Sequence, residues 1–207
     1  MGRLFLRCLI TLSTKAKRLH HHIRLNSDAR ADIAWWQEFL PTWNGTAQFV
    51  DQQPTDAADL ELYTDASDTH GCGAYFQGKW IHHNWQSHQQ LSECVSIQWQ
   101  ELFAIVVASL TWGHAWRQKR IRFYCDNLTI VNTWEGKSSK HPHIMSLLCT
   151  LFLTAAKNNF TVSLKHLPGK SNEIADALSR KQFTRFFHLA PQAEQLPTPT
   201  PGILREL

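Results

Sequence analysis

Residues 96–116 (SIQWQELFAIVVASLTWGHAW) constrain the fold more than any other segment. The stretch is long enough for several helical turns, and its apolar residues fall on all sides of the helix rather than on one stripe. Such a helix has to be well buried. Its one carboxylate, Glu101, lies in the first turns. The segments around it have other patterns. Residues 60–64 read as a strand. Residues 71–76 and 79–85 read as two more, joined by a Gln77-Gly78 turn, so the three make an antiparallel meander. Downstream, residues 120–125 form a short strand and residues 127–134 a short helix stopped near Gly136. Residues 142–157 form a further helix with Pro142 in its first turn. Residues 161–166 form a fifth strand and residues 172–180 a closing helix. Three strands, helix, strand, helices, strand, helix is the order of an α/β layer arrangement, a mixed sheet with helices on its faces.

This body is flanked on both sides. Residues 1–59 are expected to be a basic and aromatic segment with a linker. The first thirty residues hold Arg3, Arg7, Lys15, Lys17, Arg18, Arg24 and Arg30 against a single acid, Asp28. Residues 29–40 have helical spacing, with Ile33, Trp36 and Leu40 on one face. Asn26 or Asp28 is the candidate cap and Pro41 the stop. Trp43-Asn44-Gly45 is a turn signal, and the polar run 51–59 reads as a linker. Residues 182–207 contain Pro191, Pro197, Pro199 and Pro201 and few apolar anchors after Phe187, so they read as a tail.

Composition narrows the function classes without choosing one. The apolar share of 43% supports a core, while a net charge of +4 does not by itself demand nucleic acid. No apolar run approaches a membrane span. The start, broken by Arg3 and Arg7, is a poor secretory signal, with an organelle transit peptide as the minor alternative. Five cysteines lie far apart without a CxxC pair, which fits a reducing intracellular compartment, cytoplasmic or nuclear. His20–His22 and His82-His83 lack partners at zinc spacing. The Trp35-Trp36 pair reads as packing, with base stacking as the alternative.

Four carboxylates stand out by position. Asp65 ends the first strand (LYTDAS). Glu101 sits in the apolar helix (WQELFAIVVASL). Asp126 ends the fourth strand (FYCDN). Asp176 lies among apolar neighbours in the last helix (NEIADALSR). An acid on an apolar face is costly unless paired. Four that converge repel one another unless cations lie between them, and Mg²⁺ prefers such oxygen ligands. Taken singly, each acid has a plainer reading as a turn, cap or exposed residue.

Together, TDAS before a Gly-rich strand, a helix with a central Glu, a strand ending YCDN, and HLPGKSNEIADALSR resemble the ribonuclease H domain of retroelement reverse transcriptases. The last motif is similar to the end of that domain in gypsy-type and DIRS-type retrotransposons. The resemblance covers residues 60–181. It implies a ribonuclease H-like fold with a five-stranded mixed sheet, three antiparallel strands then two parallel. It also implies an endonuclease that cuts the RNA strand of an RNA–DNA hybrid, with two Mg²⁺ ions (Mn²⁺ as the alternative) held by Asp65, Glu101, Asp126 and Asp176. His166, ten residues before Asp176, matches a mobile catalytic His, and Asn172 matches a retained Asn. Ser67, Gly71, Asn127, Lys170 and Asn172 are the expected nucleic-acid contacts. Residues 20–45 are similar to the segment joining polymerase to ribonuclease H, which implies the polymerase part of a larger polyprotein as a partner. The polymerase's paired-aspartate motif is absent. The long basic helix and loop of some cellular members are also missing, leaving only EGKSSKHPH as a basic loop. A catalytically silent binding module is the second reading. A DNA-cutting integrase or transposase core is the third, disfavoured because such cores usually close on a Glu.

Overall fold

The computed structural model describes residues 5–16, 18, 20–42, 58–85 and 96–202. The chain divides into two compact units, Met1–Asp56 and Ala57–Leu207. The expected turn at residues 43–45 and most of the expected linker 51–59 lie outside the described residues.

The first unit holds helices α1 (Arg7–Ser13) and α2 (Ser27–Phe39). Of the two candidate caps, Asn26 takes the role: its side chain accepts a hydrogen bond from the Ala29 N–H at 2.9 Å. Asp32 of α2 accepts from the N–H groups of Cys8 and Leu9 at 2.9 and 3.1 Å. These are first-turn donors that α1 cannot pair internally. Trp35 stacks between Phe5 and Phe39, and the Trp36 indole donates to the Phe5 carbonyl. Packing thus accounts for both tryptophans.

The second unit contains strands β1 (Leu60–Ser67), β2 (Gly71–Phe76) and β3 (Lys79–Asn84), helix α3 (Ile97–Trp112), strand β4 (Arg120–Cys125), helices α4 (Leu128–Gly136) and α5 (Pro142–Lys157), strand β5 (Thr161–His166) and helices α6 (Glu173–Ser179) and α7 (Phe183–Leu189). The sheet order is β3-β2-β1-β4-β5. β1, β2 and β3 pair antiparallel, whereas β1–β4 and β4–β5 pair parallel. This is the expected five-stranded mixed sheet. α3 packs on β1 and β2 with α5 behind it, and α6 lies on the face of the sheet that carries Gly73. Being apolar all round, α3 is buried along nearly its whole length.

The structure departs from the sequence reading at three places. First, β1 runs on to Ser67, so Asp65 does not end the strand. It sits inside the strand, opposite Gly73 of β2. Second, the long helix stops at Trp112, and Gly113–Ala115 continue as a 3₁₀ turn. A Cβ at Gly113 would lie 3.0 Å from the Phe160 ring, so the chain narrows where β5's approach crowds it. Third, the segment after Lys181 is packed rather than tail-like. Phe186 is fully buried in a cluster with Tyr75, Trp80, Leu178, Ala190 and Ala193. The prolines lie beyond that helix, and Glu194 and Thr198 donate backbone hydrogen bonds to Gly78 and Trp80 along β3.

Candidate metal centre

The four acids come from four separate stretches of the chain. Asp65 projects from the middle of β1 and is 5% exposed. Glu101, near the start of α3, is 2% exposed. Ser96 starts that helix, its side chain accepting from the Trp99 N–H. Asp126 follows the last residue of β4, where Asn127 turns the chain into α4 by accepting from the N–H groups of Thr129 and Ile130 at 3.0 and 3.3 Å. Asp176 lies in α6, which Asn172 fastens to β1 by donating from Nδ2 to the Thr64 carbonyl at 2.9 Å.

Two glycines let these elements close on one another. A Cβ on Gly73 would stand 2.4 Å from Leu178 Cβ and 2.9 Å from the Ser179 nitrogen. β2 is therefore bare where α6 crosses it. That approach brings the Ser179 hydroxyl within 2.5 Å of Asp65 Oδ2. A Cβ on Gly169, in the loop after β5, would stand 3.2 Å from Asp126 Oδ2.

The electrostatics follow from this crowding. Burial, opposed by the Ser179 hydrogen bond and reinforced by the charges of Asp126 and Asp176, pushes Asp65 up to about 7. Burial, with the charges of Asp65 and Asp126, pushes Glu101 up to about 9. Glu101 Oε1 accepts from the Ala66 N–H at 3.3 Å, and Cys125 Sγ lies 3.7 Å from Oε2. Asp176 behaves oppositely. Its partial burial raises it, but hydrogen bonds from Arg180 (2.6 Å) and Arg185 (2.7 Å) win, and its carboxyl is held below the usual range.

One ligand atom each from Glu101, Cys125 and Asp126 lies within 4.8 Å of the others. Asp65 stands outside this trio but feels the charge of Asp126, and its own charge helps to raise Glu101. The donor set fits a hard divalent cation: buried carboxylate oxygens on convergent elements, each disfavouring the other's ionisation without a cation between them. Cys125 does not stand out in the sequence. Its only signal is its place beside Asp126 at a strand end, because a lone cysteine shows no ligand spacing. Burial first, then the Glu101 charge, drives its thiol far above the usual range.

The remaining expected residues have definite positions. His166 closes β5 opposite Cys125, exposed, with Nε2 3.1 Å from the Asp126 carbonyl. Ser67 is buried. Its hydroxyl meets the Gly71 and Ser179 carbonyls and the N–H groups of His70 and Gly71, and its carbonyl accepts from Trp85. Gly71, at φ 151°, is required by the backbone: a Cβ there would lie 2.1 Å from the His83 carbonyl oxygen. Asn127 Oδ1 caps α4. Asn172 is buried, and its Oδ1 has no hydrogen-bond partner among the described residues. Of the five expected nucleic-acid contacts, Lys170 alone is plainly exposed.

Residues 81–182 match the family model described as reverse transcriptase-like. Among solved structures, the chain is similar to LC11-RNase H1, isolated from compost and crystallised with an RNA/DNA hybrid. The identity there is 15% over 59% of this chain and 94% of that one, with a TM-score of 0.45. It is similar to RNase H1 of the halophilic archaeon Halobacterium salinarum at 14% identity, covering 60% and 97%, with a TM-score of 0.45. It also resembles the foamy viral protease-reverse transcriptase bound to double-stranded DNA, at 12% identity over 79% of this chain and 30% of that one, with a TM-score of 0.35. No curated protein matches the chain.

Proposed function

Because residues 81–182 match the reverse transcriptase-like family model, we propose that this chain is a metal-dependent endonuclease. It cuts the RNA strand of RNA–DNA hybrids as the ribonuclease H part of a retroelement reverse transcriptase polyprotein of the DIRS or gypsy type. The observation that carries the reading is the pair Asp65 and Glu101, two buried carboxylates on different elements, each raised by burial and by neighbouring acids. Folding charges together in a dry place is unfavourable unless a cation completes the set.

Asp65, Glu101 and Asp126 would hold divalent ions, Mg²⁺ or Mn²⁺, with Asp176 completing the set. Bound there, a pair of such ions supplies an acidified water and charge stabilisation for the leaving 3′ oxygen. Ser179 holds Asp65 in one rotamer from α6, and the Ala66 N–H does the same for Glu101. His166, beside the Asp126 carbonyl and open to solvent, would carry a proton to or from the reacting oxygens. Water adds to phosphorus, the bond to the 3′ oxygen breaks, and a 5′-phosphate and a 3′-hydroxyl remain. The 2′-hydroxyl is what separates RNA from DNA at such a site. Ser67 and Asn127 already serve the fold through their side-chain oxygens. The free thiols of the described cysteines accord with a reducing setting, cytoplasmic or nuclear. No described helix is long and apolar enough to cross a membrane.

The direct test is cleavage of a labelled RNA–DNA hybrid by the full chain with Mg²⁺ or Mn²⁺, then with chelator. Chelator-sensitive cutting of the RNA strand is expected, and retained cutting by Asp65→Asn at the wild-type rate would overturn the mechanism. One observation favours the silent binding module: Arg180 and Arg185 occupy both oxygens of Asp176. Tight hybrid binding without cleavage is the result that would select it.

A further inference from the structure

A long polyanion needs cations near the cutting site, and the structure offers a set. Between Asp176 and Glu194 there is no acid, while Arg180, Lys181 and Arg185 all fall within that interval. They gather at the corner where α6 gives way to α7. Arg185 reaches back from α7 to Asp176 Oδ2 at 2.7 Å and to Glu173 at 3.8 Å, so the corner touches the candidate metal centre directly. α7 is anchored by Phe186 against Tyr75 and Trp80. The outer side of the corner, with Lys181, Gln182, Thr184, Arg185 and His188, is exposed.

Lys181 adds a separate observation. Its φ is +57°, in the left-handed region, where it closes α6: its N–H donates to the Leu178 carbonyl, and the Gln182 N–H donates to the Ala177 carbonyl. Glycine is the ordinary occupant of that position because it has no Cβ to strain. A lysine there, like Lys137 at φ +48° after α4, is a worse choice for the fold than glycine, so the cation at 181 can be exchanged for glycine without loss to the fold.

We propose that the α6–α7 corner is a phosphate-binding surface for the nucleic-acid substrate, with Lys181 and Arg185 contacting the backbone beside the Asp176 end of the acid cluster. The proposal rests on the hydrolase reading above and names how that site holds its polyanion. The alternative for Arg185 is a counter-ion of Asp176 and Glu173 and nothing more. For Lys181 it is a solvated surface charge.

The test uses the full chain carrying Asp65→Asn, so that the hybrid stays intact. Binding to a labelled RNA–DNA hybrid is measured in chelator at several KCl concentrations, for this parent and with Lys181→Gly or Arg185→Gln added. Removing one cation that pairs with a phosphate should lower the slope of log affinity against log salt by about 0.9. Affinity should fall several-fold at low salt. Lys181→Gly should melt no lower than its parent because the left-handed strain is relieved, which separates weakened grip from damaged structure even if Arg185→Gln unfolds. Parental affinity and slope in Lys181→Gly overturn the surface, as does a parent that binds no hybrid. Cleavage by the wild-type chain is run alongside. If it cuts hybrid while Lys181→Gly binds as the parent does, this proposal falls alone. If it fails to cut while Lys181→Gly weakens binding, the surface stands and the hydrolase reading falls.

Discussion

Gly73→Ala tests fold and site in one change. The added Cβ would stand 2.4 Å from Leu178 Cβ and 2.9 Å from the Ser179 backbone nitrogen. Carbon atoms in good contact sit about 3.5–4.0 Å apart, so α6 has to retreat by roughly 1 Å or more. No rotamer change can relieve the clash, since both partners are the backbone or the first side-chain atom of α6. The retreat strains the Asn172–Thr64 tether and opens the 2.5 Å hydrogen bond between Ser179 and Asp65. Overpacking of this kind costs about 1–3 kcal/mol, or some 2–12 °C in Tm for a domain of this size. A displacement of about 1 Å at a catalytic group costs on the order of 100-fold in rate. Thermal melting and single-turnover cleavage of labelled hybrid give the two numbers. A Gly73→Ala protein that melts within about 1 °C of wild type and cuts at its rate would refute the inference that this close approach sets the position of α6.

Three further outcomes follow from the same geometry. Asp65 and Glu101 titrate near 7 and 9 in the folded chain, against about 4 when unfolded. The native state therefore binds more protons than the unfolded state between those limits, and metal-free stability falls as pH rises from about 4 towards 9. Melting in chelator should show that fall, and added Mn²⁺ should raise Tm more at about pH 8 than at about pH 5.5; a Tm that climbs with pH in chelator would contradict the assignment. Glu101→Gln should abolish cleavage while raising the metal-free Tm at about pH 8, because glutamine is neutral without the proton that a carboxyl titrating near 9 has to take up on folding at that pH; a lower Tm would show that the ionisation of Glu101 is not the burden. Asn172→Ala leaves the buried Thr64 carbonyl without its partner, which costs about 1–3 kcal/mol; chemical denaturation should show it, and an unchanged midpoint would mean that α6 is held by its apolar contacts alone.

The sheet is readily legible in the sequence because its strands are bounded by strong local signals. β2, β4 and β5, and helix α5, have the limits that turns, Pro142 and apolar runs imply. On sequence alone β1 stops at Thr64, because Asp65, Ala66 and Ser67 look like a turn in isolation. Pairing with Gly71–Phe76, a non-local interaction, extends it. α7 escapes a sequence reading although Phe183, Phe186 and Phe187 carry helical spacing. The prolines downstream dominate the local pattern, and the partner surface around Trp80 is more than a hundred residues away. The four acids are visible as types in context. Their differences are not. Nothing local to ADALSR says that Asp176 will be neutralised by Arg185, or that Asp65 will share its oxygen with Ser179, because both depend on how α6 and α7 dock. Cys125 is invisible as a ligand neighbour for the same reason.

The segment that runs along β3 has a consequence for solubility. β3 ends the strand order, so its outer backbone groups are the natural place for another copy of the chain to add a strand. Glu194 and Thr198 already take the Gly78 and Trp80 carbonyls. Pro197, Pro199 and Pro201 have no N–H to offer an added strand. An incoming strand meets a border with alternate donors missing, which cannot propagate a ladder. The prolines that make the end of the chain look like a loose tail thus serve as a selvedge: they finish the sheet where it would otherwise fray into its neighbours.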